Sequence, residues 1–201
     1  MTNAPALTPI EAKRLSVSRR AALVIAAVVA LVDQLLKYIV TVPLELQARG
    51  GLGIKITPFF DLRYAENRGV SLGMLTAGSP LQVWLLVTLT AAISVGVVVW
   101  MWRERARGDI FALALVLGGA IGNIVDRVRL SYVVDYADFH IGGWSPFLIF
   151  NLADAAITIG VVLLVGRALL YDRKDKVHKG SAINAEPSND THPAQRADNG
   201  V

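Results

Sequence analysis

Four long apolar blocks, each close to the length needed to cross a bilayer, constrain what this chain can become more than any other feature. They run from about Arg20 to Val42, Pro80 to Trp102, Asp109 to Leu130 and Phe150 to Tyr171. A helix needs roughly 20 apolar residues to span the hydrocarbon core, and as a helix each block pairs its backbone amides internally where no water can do so. The residues are 54% hydrophobic and 18% charged, so the expected fold class is an all-α integral membrane protein with four transmembrane helices. The connection from 43 to 79 holds two short β-branched or aromatic runs, GLGIKIT and FFDLRYA, bounded by Gly and Pro. These predict a small extracytoplasmic β element between the first two helices, either a cap on the bundle or an edge for an extended peptide. The following NRGVSLGM reads as a polar turn leading into a re-entrant or interfacial piece.

Basic residues orient the spans. Lys13, Arg14, Arg19 and Arg20 precede the first, Arg103, Arg105 and Arg107 join the second to the third, and Arg173, Lys174, Lys176 and Lys179 follow the fourth. Lys and Arg collect on the cytoplasmic side of short loops. Both termini are therefore expected in the cytoplasm, with the connections 43–79 and 131–149 outside. A cleaved secretory signal does not fit the first block, which lacks a small-residue cleavage pattern and is interrupted by Asp33, Gln34 and Lys37. The expected organisation is a cytoplasmic segment 1–19, a four-helix membrane domain 20–172 and a tail 173–201. From about Lys176 the tail is too poor in large apolar residues to order itself. The net charge of +4 follows from this topology and gives no reason to expect nucleic acid. The absence of cysteine excludes a disulfide framework, a thiol nucleophile and a thiolate zinc site.

An ionisable residue within or bordering hydrocarbon costs roughly 2.5 to 3.5 kcal/mol on insertion scales, so each one calls for a reason. Asp135 and Asp154 are read as the residues that end the third span and open the fourth. Along one continuous helix they would lie roughly 28 Å apart. The chain can reverse at Gly142, Gly143 and Pro146, which brings both acids to the same outer rim. Two carboxyl groups at close range in a poorly solvated place share one proton, which gives an acid and a base for peptide hydrolysis without a metal or a covalent intermediate. The plain alternative is that each acid serves a helix end, as Asp154 would in the first turn of the fourth span.

Asp33 and Lys37 share a helix face at i, i+4 and are read as an ion pair bracing the bundle. Asp126 with Arg127, closing GGAIGNIVDR, is read in the same way, with Arg127 either held by neighbouring acids or offering donors to a peptide carbonyl. Asn151, three positions before Asp154, either holds a substrate carbonyl or caps the helix. No HExxH, GxSxG or phosphate-binding Gly loop occurs, and His140, His178 and His192 are scattered. A Ser71–Lys37 pair is disfavoured because Asp33 keeps the lysine charged. The rival reading, a proton-coupled transporter, needs acids across the whole bilayer, whereas the polar residues here gather toward one face. A membrane scaffold is the third reading.

Taken together, DQLLK at 33–37, NRGVSLG at 67–73, GGAIGNIVDR at 118–127, VVDY at 133–136 and FNLAD at 150–154 resemble the lipoprotein signal peptidases, the type II signal peptidase family of membrane aspartic proteases. The resemblance implies that Asp135 and Asp154 are the catalytic dyad. It implies that Asn67, Arg127, Asn151 and Asn123 bind substrate or order the site. Asp33, Lys37, Gly69, Gly122, Asp126 and Ala153 become structural supports, with Asp126 supporting Arg127. It further implies a multi-pass enzyme of the bacterial cytoplasmic (inner) membrane, active near the outer face and without a cofactor. Its substrates would be diacylglyceryl-modified prolipoproteins, cut before the lipidated cysteine, and it would contact membrane lipids and globomycin-type cyclic peptide inhibitors. Tyr136 and Leu72 stand where the family often has Phe.

Overall fold

The computed structural model describes residues 8–69, 79–141, 144 and 148–183, with 171–183 as backbone alone. Helix α1 (Pro9–Thr41) leads through a short 3-10 turn (Leu46–Arg49) to strands β1 (Ile54–Thr57) and β2 (Phe60–Asn67). Helices α2 (Pro80–Arg103) and α3 (Arg107–Leu130), strand β3 (Val133–Phe139) and helix α4 (Leu152–Ile183) follow. All four helices contain windows long and apolar enough to cross a membrane. Apolar side chains such as Val24, Leu31, Leu85, Leu89, Val162 and Val165 remain exposed on their outer faces. That pattern suits helices solvated by lipid tails.

The helices start where local chemistry permits. Thr8 and Glu11 form a reciprocal capping box, with Thr8 N–H donating to Glu11 Oε2 at 2.9 Å and Glu11 N–H to Thr8 Oγ1 at 3.3 Å. With Pro9 opening the first turn, α1 begins well before Arg20, inside the segment 1–19 expected to precede the membrane domain. Ser79 and Pro80 open α2 in a similar way, Ser79 Oγ accepting the Gln82 N–H at 3.3 Å. At the other end of the chain α4 runs past Tyr171 to Ile183, so the segment read as disordered from about Lys176 begins as helix. Residues 184–201, with His192, lie outside the described residues. The chain divides into one unit through Val165 and a second from Gly166, and everything below concerns the first.

Helix α3 is central. Of its apolar window 56% is buried, against 28%, 11% and 17% for α1, α2 and α4. Its small residues make this possible, because a Cβ at Gly122 would meet Asp33 Oδ2 of α1 at 2.6 Å and one at Gly119 would collide with the Ala153 carbonyl of α4. One apolar cluster joins Leu15, Ala22, Met101, Ile110, Leu113 and Ala114. A second, of Val40, Leu46, Val134, Tyr136 and Ala137, seats the sheet on the opposite end of the bundle.

The sheet corrects the sequence expectation. It has three antiparallel strands in the order β1-β2-β3. The third comes from the connection between α3 and α4, so the β element is not confined to the chain between the first two helices. Asp135 therefore does not end a span. The chain leaves α3 through Ser131 in the left-handed region (φ 69°) and enters β3, where Asp135 lies opposite Ala65 of β2. Gly142, Gly143 and Pro146, the expected point of reversal, lie outside the described residues, as do Ser71, Leu72 and the rest of NRGVSLGM beyond Gly69.

Candidate active site

Asn151 links the two acids. It is the N-cap of α4, and its Oδ1 accepts the Asp154 N–H at 2.9 Å while its own N–H donates to Asp154 Oδ2 at 3.4 Å. That is a capping box with Asp154 three residues into the helix, where a carboxylate is favoured by the helix N-terminus. The Asn151 Nδ2 is left over from capping. It donates to Asp135 Oδ1 at 2.6 Å, with the Val134 carbonyl and Asn123 Oδ1 each at 3.4 Å. The sequence left capping or a hold on a substrate carbonyl as alternatives; the structure shows the cap, and the same fully buried side chain also bonds Asp135.

Asn123 of α3 continues the network. Its Nδ2 donates to Asp154 Oδ1 at 2.8 Å, and its Oδ1 accepts from Lys37 Nζ at 3.3 Å. Asn67 approaches Asp135 from the end of β2 and hydrogen-bonds its carboxyl group. The Asn67 Oδ1 accepts the Gly69 N–H at 3.0 Å, which leaves the amide NH₂ for Asp135. Gly69 has φ +82°, and a Cβ there would stand 2.6 Å from Leu86 of α2. The positive φ is what calls for glycine, since the Leu86 methyl could move aside.

Beneath this layer lies a brace. Lys37 Nζ sits 2.7 Å from Asp33 Oδ2 and 2.8 Å from Asp126 Oδ2. Asp33 Oδ1 accepts the Ala153 N–H at 3.0 Å, tying α1 to the first turn of α4. Asp126 Oδ2 also accepts the Val134 N–H at 3.0 Å, which fixes the residue before Asp135. Gln34 donates to Asp126 Oδ1 at 2.8 Å and to the Gly122 carbonyl at 3.2 Å. Gln34 was legible only as a polar interruption of the first span, and nothing in the sequence pointed to its partner.

The expected pairing of Asp126 with Arg127 is corrected here. Adjacent helical residues do not face each other, and the Asp126 oxygens are taken by Lys37, Gln34 and Val134. Arg127, half-buried, donates to the Asn123 carbonyl at 3.5 Å and stays within electrostatic reach of Asp154, Asp135 and, without a direct bond, Asp126. His140 is not near this network but against Asp61 in the sheet, Nε2 to Oδ2 at 3.4 Å.

A cavity of about 300 Å³ opens on Asp135, lined by Ala65, Glu66, Asn67, Leu148 and Ile149. Burial, and next the charge of Asp154, push the Asp135 carboxyl up to about 6, against the pull of hydrogen bonds from Asn67 and Asn151 and the charge of Lys37. Asp135 thus keeps its proton far more readily than an ordinary carboxyl group.

Residues 25–170 match the family model described as signal peptidase (SPase) II. The chain belongs to the signal peptidase II family. It is similar to the "Lipoprotein signal peptidase" of Rhizorhabdus wittichii, 60% identical over 76% of this chain and 87% of the relative. That of Sphingopyxis alaskensis is 54% identical over 85% and 95%. It also resembles a solved "Bacterial membrane enzyme structure by the in meso method at 2.3 A resolution", with a TM-score of 0.65 and 31% identity over 78% of this chain and 91% of that one. Signal peptidase II enzymes are membrane aspartic peptidases that remove signal peptides from prolipoproteins, and this chain is a multi-pass hydrolase of that kind. The transporter reading finds no support in these likenesses.

Proposed function

We propose that Asp135 and Asp154 are the catalytic pair and that they act with one proton between them. The supporting observation is Asn151, which bonds one acid through its side chain and the other through a capping box. Asp154 accepts two N–H donors at a helix N-terminus, an environment suited to the anion. Asp135 is the member that holds the proton. Water attacks the scissile carbonyl while Asp154 takes its proton and Asp135 donates to the carbonyl oxygen. On collapse of the tetrahedral intermediate the C–N bond breaks, the leaving amine receives the proton held by Asp154, and Asp135 regains its own. Asn67 and Asn151 order Asp135, Asn123 orders Asp154, and Arg127 offers donors toward the peptide backbone.

The substrate in this reading is a diacylglyceryl-modified prolipoprotein, cut just before the lipidated cysteine, and globomycin-type cyclic peptides are the expected inhibitors. The site lies at the sheet end of the helices, opposite the Arg103, Arg105 and Arg107 connection. With basic residues inside, the site faces the outer side of the bacterial cytoplasmic membrane and both termini lie in the cytoplasm. Lipid chains then remain in the bilayer while the scissile bond reaches the cavity at Asp135. The deciding experiment is cleavage of a diacylglyceryl-modified prolipoprotein in detergent, with chelator present, by wild type, Asp135→Asn and Asp154→Asn. Turnover by wild type alone is expected, and full activity in either variant removes the dyad.

A further inference from the structure

We propose, on the basis of that peptidase reading, that Arg68 is a positioning residue for the hydrolysis, holding the end of β2 so that the Asn67 amide stays on Asp135. Asn67 is exposed and ends its strand, so the β ladder alone holds it weakly. Arg68 supplies the missing constraints. Its guanidinium pairs with Glu66, one residue before Asn67, and lies over the Tyr132 ring at 5.4 Å from the centroid. Tyr132 follows the turn that ends α3 and leads into β3, and its hydroxyl bonds that of Tyr64 on β2 at 2.9 Å. Arg68 therefore clamps the last residues of β2 to the start of the strand that carries Asp135. Its carbonyl is held from a third direction by Gln82 Nε2 of α2 at 3.4 Å. Asn67 lies between these anchors.

The clamp also controls charge. Glu66 lines the same cavity as Asp135, and Arg68 neutralises it there. The groups acting on Asp135 are then Asn67 from β2, Asn151 and Asp154 from α4, Lys37 from α1 and Arg127 from α3, with Glu66 of β2 lining the same cavity. Losing the Asn67 hydrogen bond removes a group that favours the Asp135 anion, so the proton is held to higher pH. A role confined to packing would leave this titration unmoved, whereas unmasking the Glu66 charge alone would move the limb further in double variants with Asn67→Ala than in Asn67→Ala itself, and a positioning role would not.

The test is a double-mutant cycle on cleavage of a diacylglyceryl-modified prolipoprotein, with kcat and KM measured across pH. The enzymes are wild type, Arg68→Ala, Arg68→Gln, Asn67→Ala, the doubles and Arg68→Lys. Both neutral Arg68 variants are expected to lose kcat about tenfold with KM little changed, since small misplacement of an active group is costly. Their alkaline limb should move upward as in Asn67→Ala, the doubles should be no slower than Asn67→Ala alone, and Arg68→Lys should recover most of the loss. Multiplicative losses, a rate loss without movement of the limb, or wild-type rates in both neutral variants overturn the proposal while leaving the dyad in place. A folded wild type that fails to cleave overturns the peptidase reading and this inference with it.

Discussion

Toward the sheet end of the bundle Lys37 lies between Asp33 and Asp126, all three buried, with three further donors, Gln34 Nε2 and the Val134 and Ala153 N–H groups, completing the carboxylates. In the sheet Arg63 reaches Asp138 at 3.1 Å and Asp61 at 3.8 Å from a side chain that is 47% exposed. There Asp61 Oδ1 has no hydrogen-bond partner among the described residues. Both clusters combine two buried aspartates with one cation, yet only the first is a closed polar network. A buried charge pair gains little against hydrophobic substitutes, but removing one partner strands the others in a place water cannot reach. An exposed cation is already solvated and can be lost cheaply. The first cluster also holds Ala153 and Val134, the neighbours of Asp154 and Asp135, and so braces the proposed site.

The comparison can be broken by experiment. Lys37→Met should have the largest effect, a loss of about 3 to 5 kcal/mol of stability from stranding two carboxylates, read from thermal unfolding in detergent. A small loss would mean that the brace is solvated after all. Next, Asp154→Asn removes a negative charge that raises Asp135, so the Asp135 carboxyl should fall from about 6 toward the ordinary range. Infrared titration of the carboxyl band checks this. The corresponding activity follows in sign: in the proposed mechanism Asp135 donates a proton, so kcat/KM of wild type should decline as pH rises through about 6, and the kcat limb should lie higher once substrate excludes water. Gly122→Ala should cost about 1 to 3 kcal/mol, because its Cβ would press on the Asp33 carboxylate, and unfolding of the variant measures the shift. Arg63→Ala should change stability by no more than about 1 kcal/mol and by less at high salt. A loss as large as that of Lys37→Met would remove the distinction between the two clusters.

Strand β3 shows why part of the site was illegible. Residues 133–138 are all buried, so VVDYAD has no polar face to reveal a period of two. The two acids on it are three apart and therefore point to opposite sides of the strand. Asp135 turns to Asn67 and Asn151, and Asp138 turns to Arg63. Without the register Asp61 to Asp138 and Ala65 to Asp135, nothing separates the acid at the cavity from its neighbour in the sheet. The pairing of Asp126 was misread for a related reason: the nearest cation in sequence is Arg127, but the nearest in space is Lys37 of another helix.

What this chain determined by itself is everything governed by local composition and short period. That covers four apolar helices, the Asp33–Lys37 pair at one helical turn, the small residues of GGAIG and an asparagine placed to cap α4. The family's motifs, read in order, also carried the two aspartates. Only the tertiary structure decided that Asp135 sits on a strand, that Lys37 serves two aspartates, and that Asn151 spends one amide on both acids. Those are contacts between segments distant along the chain, and their energies come from burial and from hydrogen bonds completed in three dimensions, which no local pattern records.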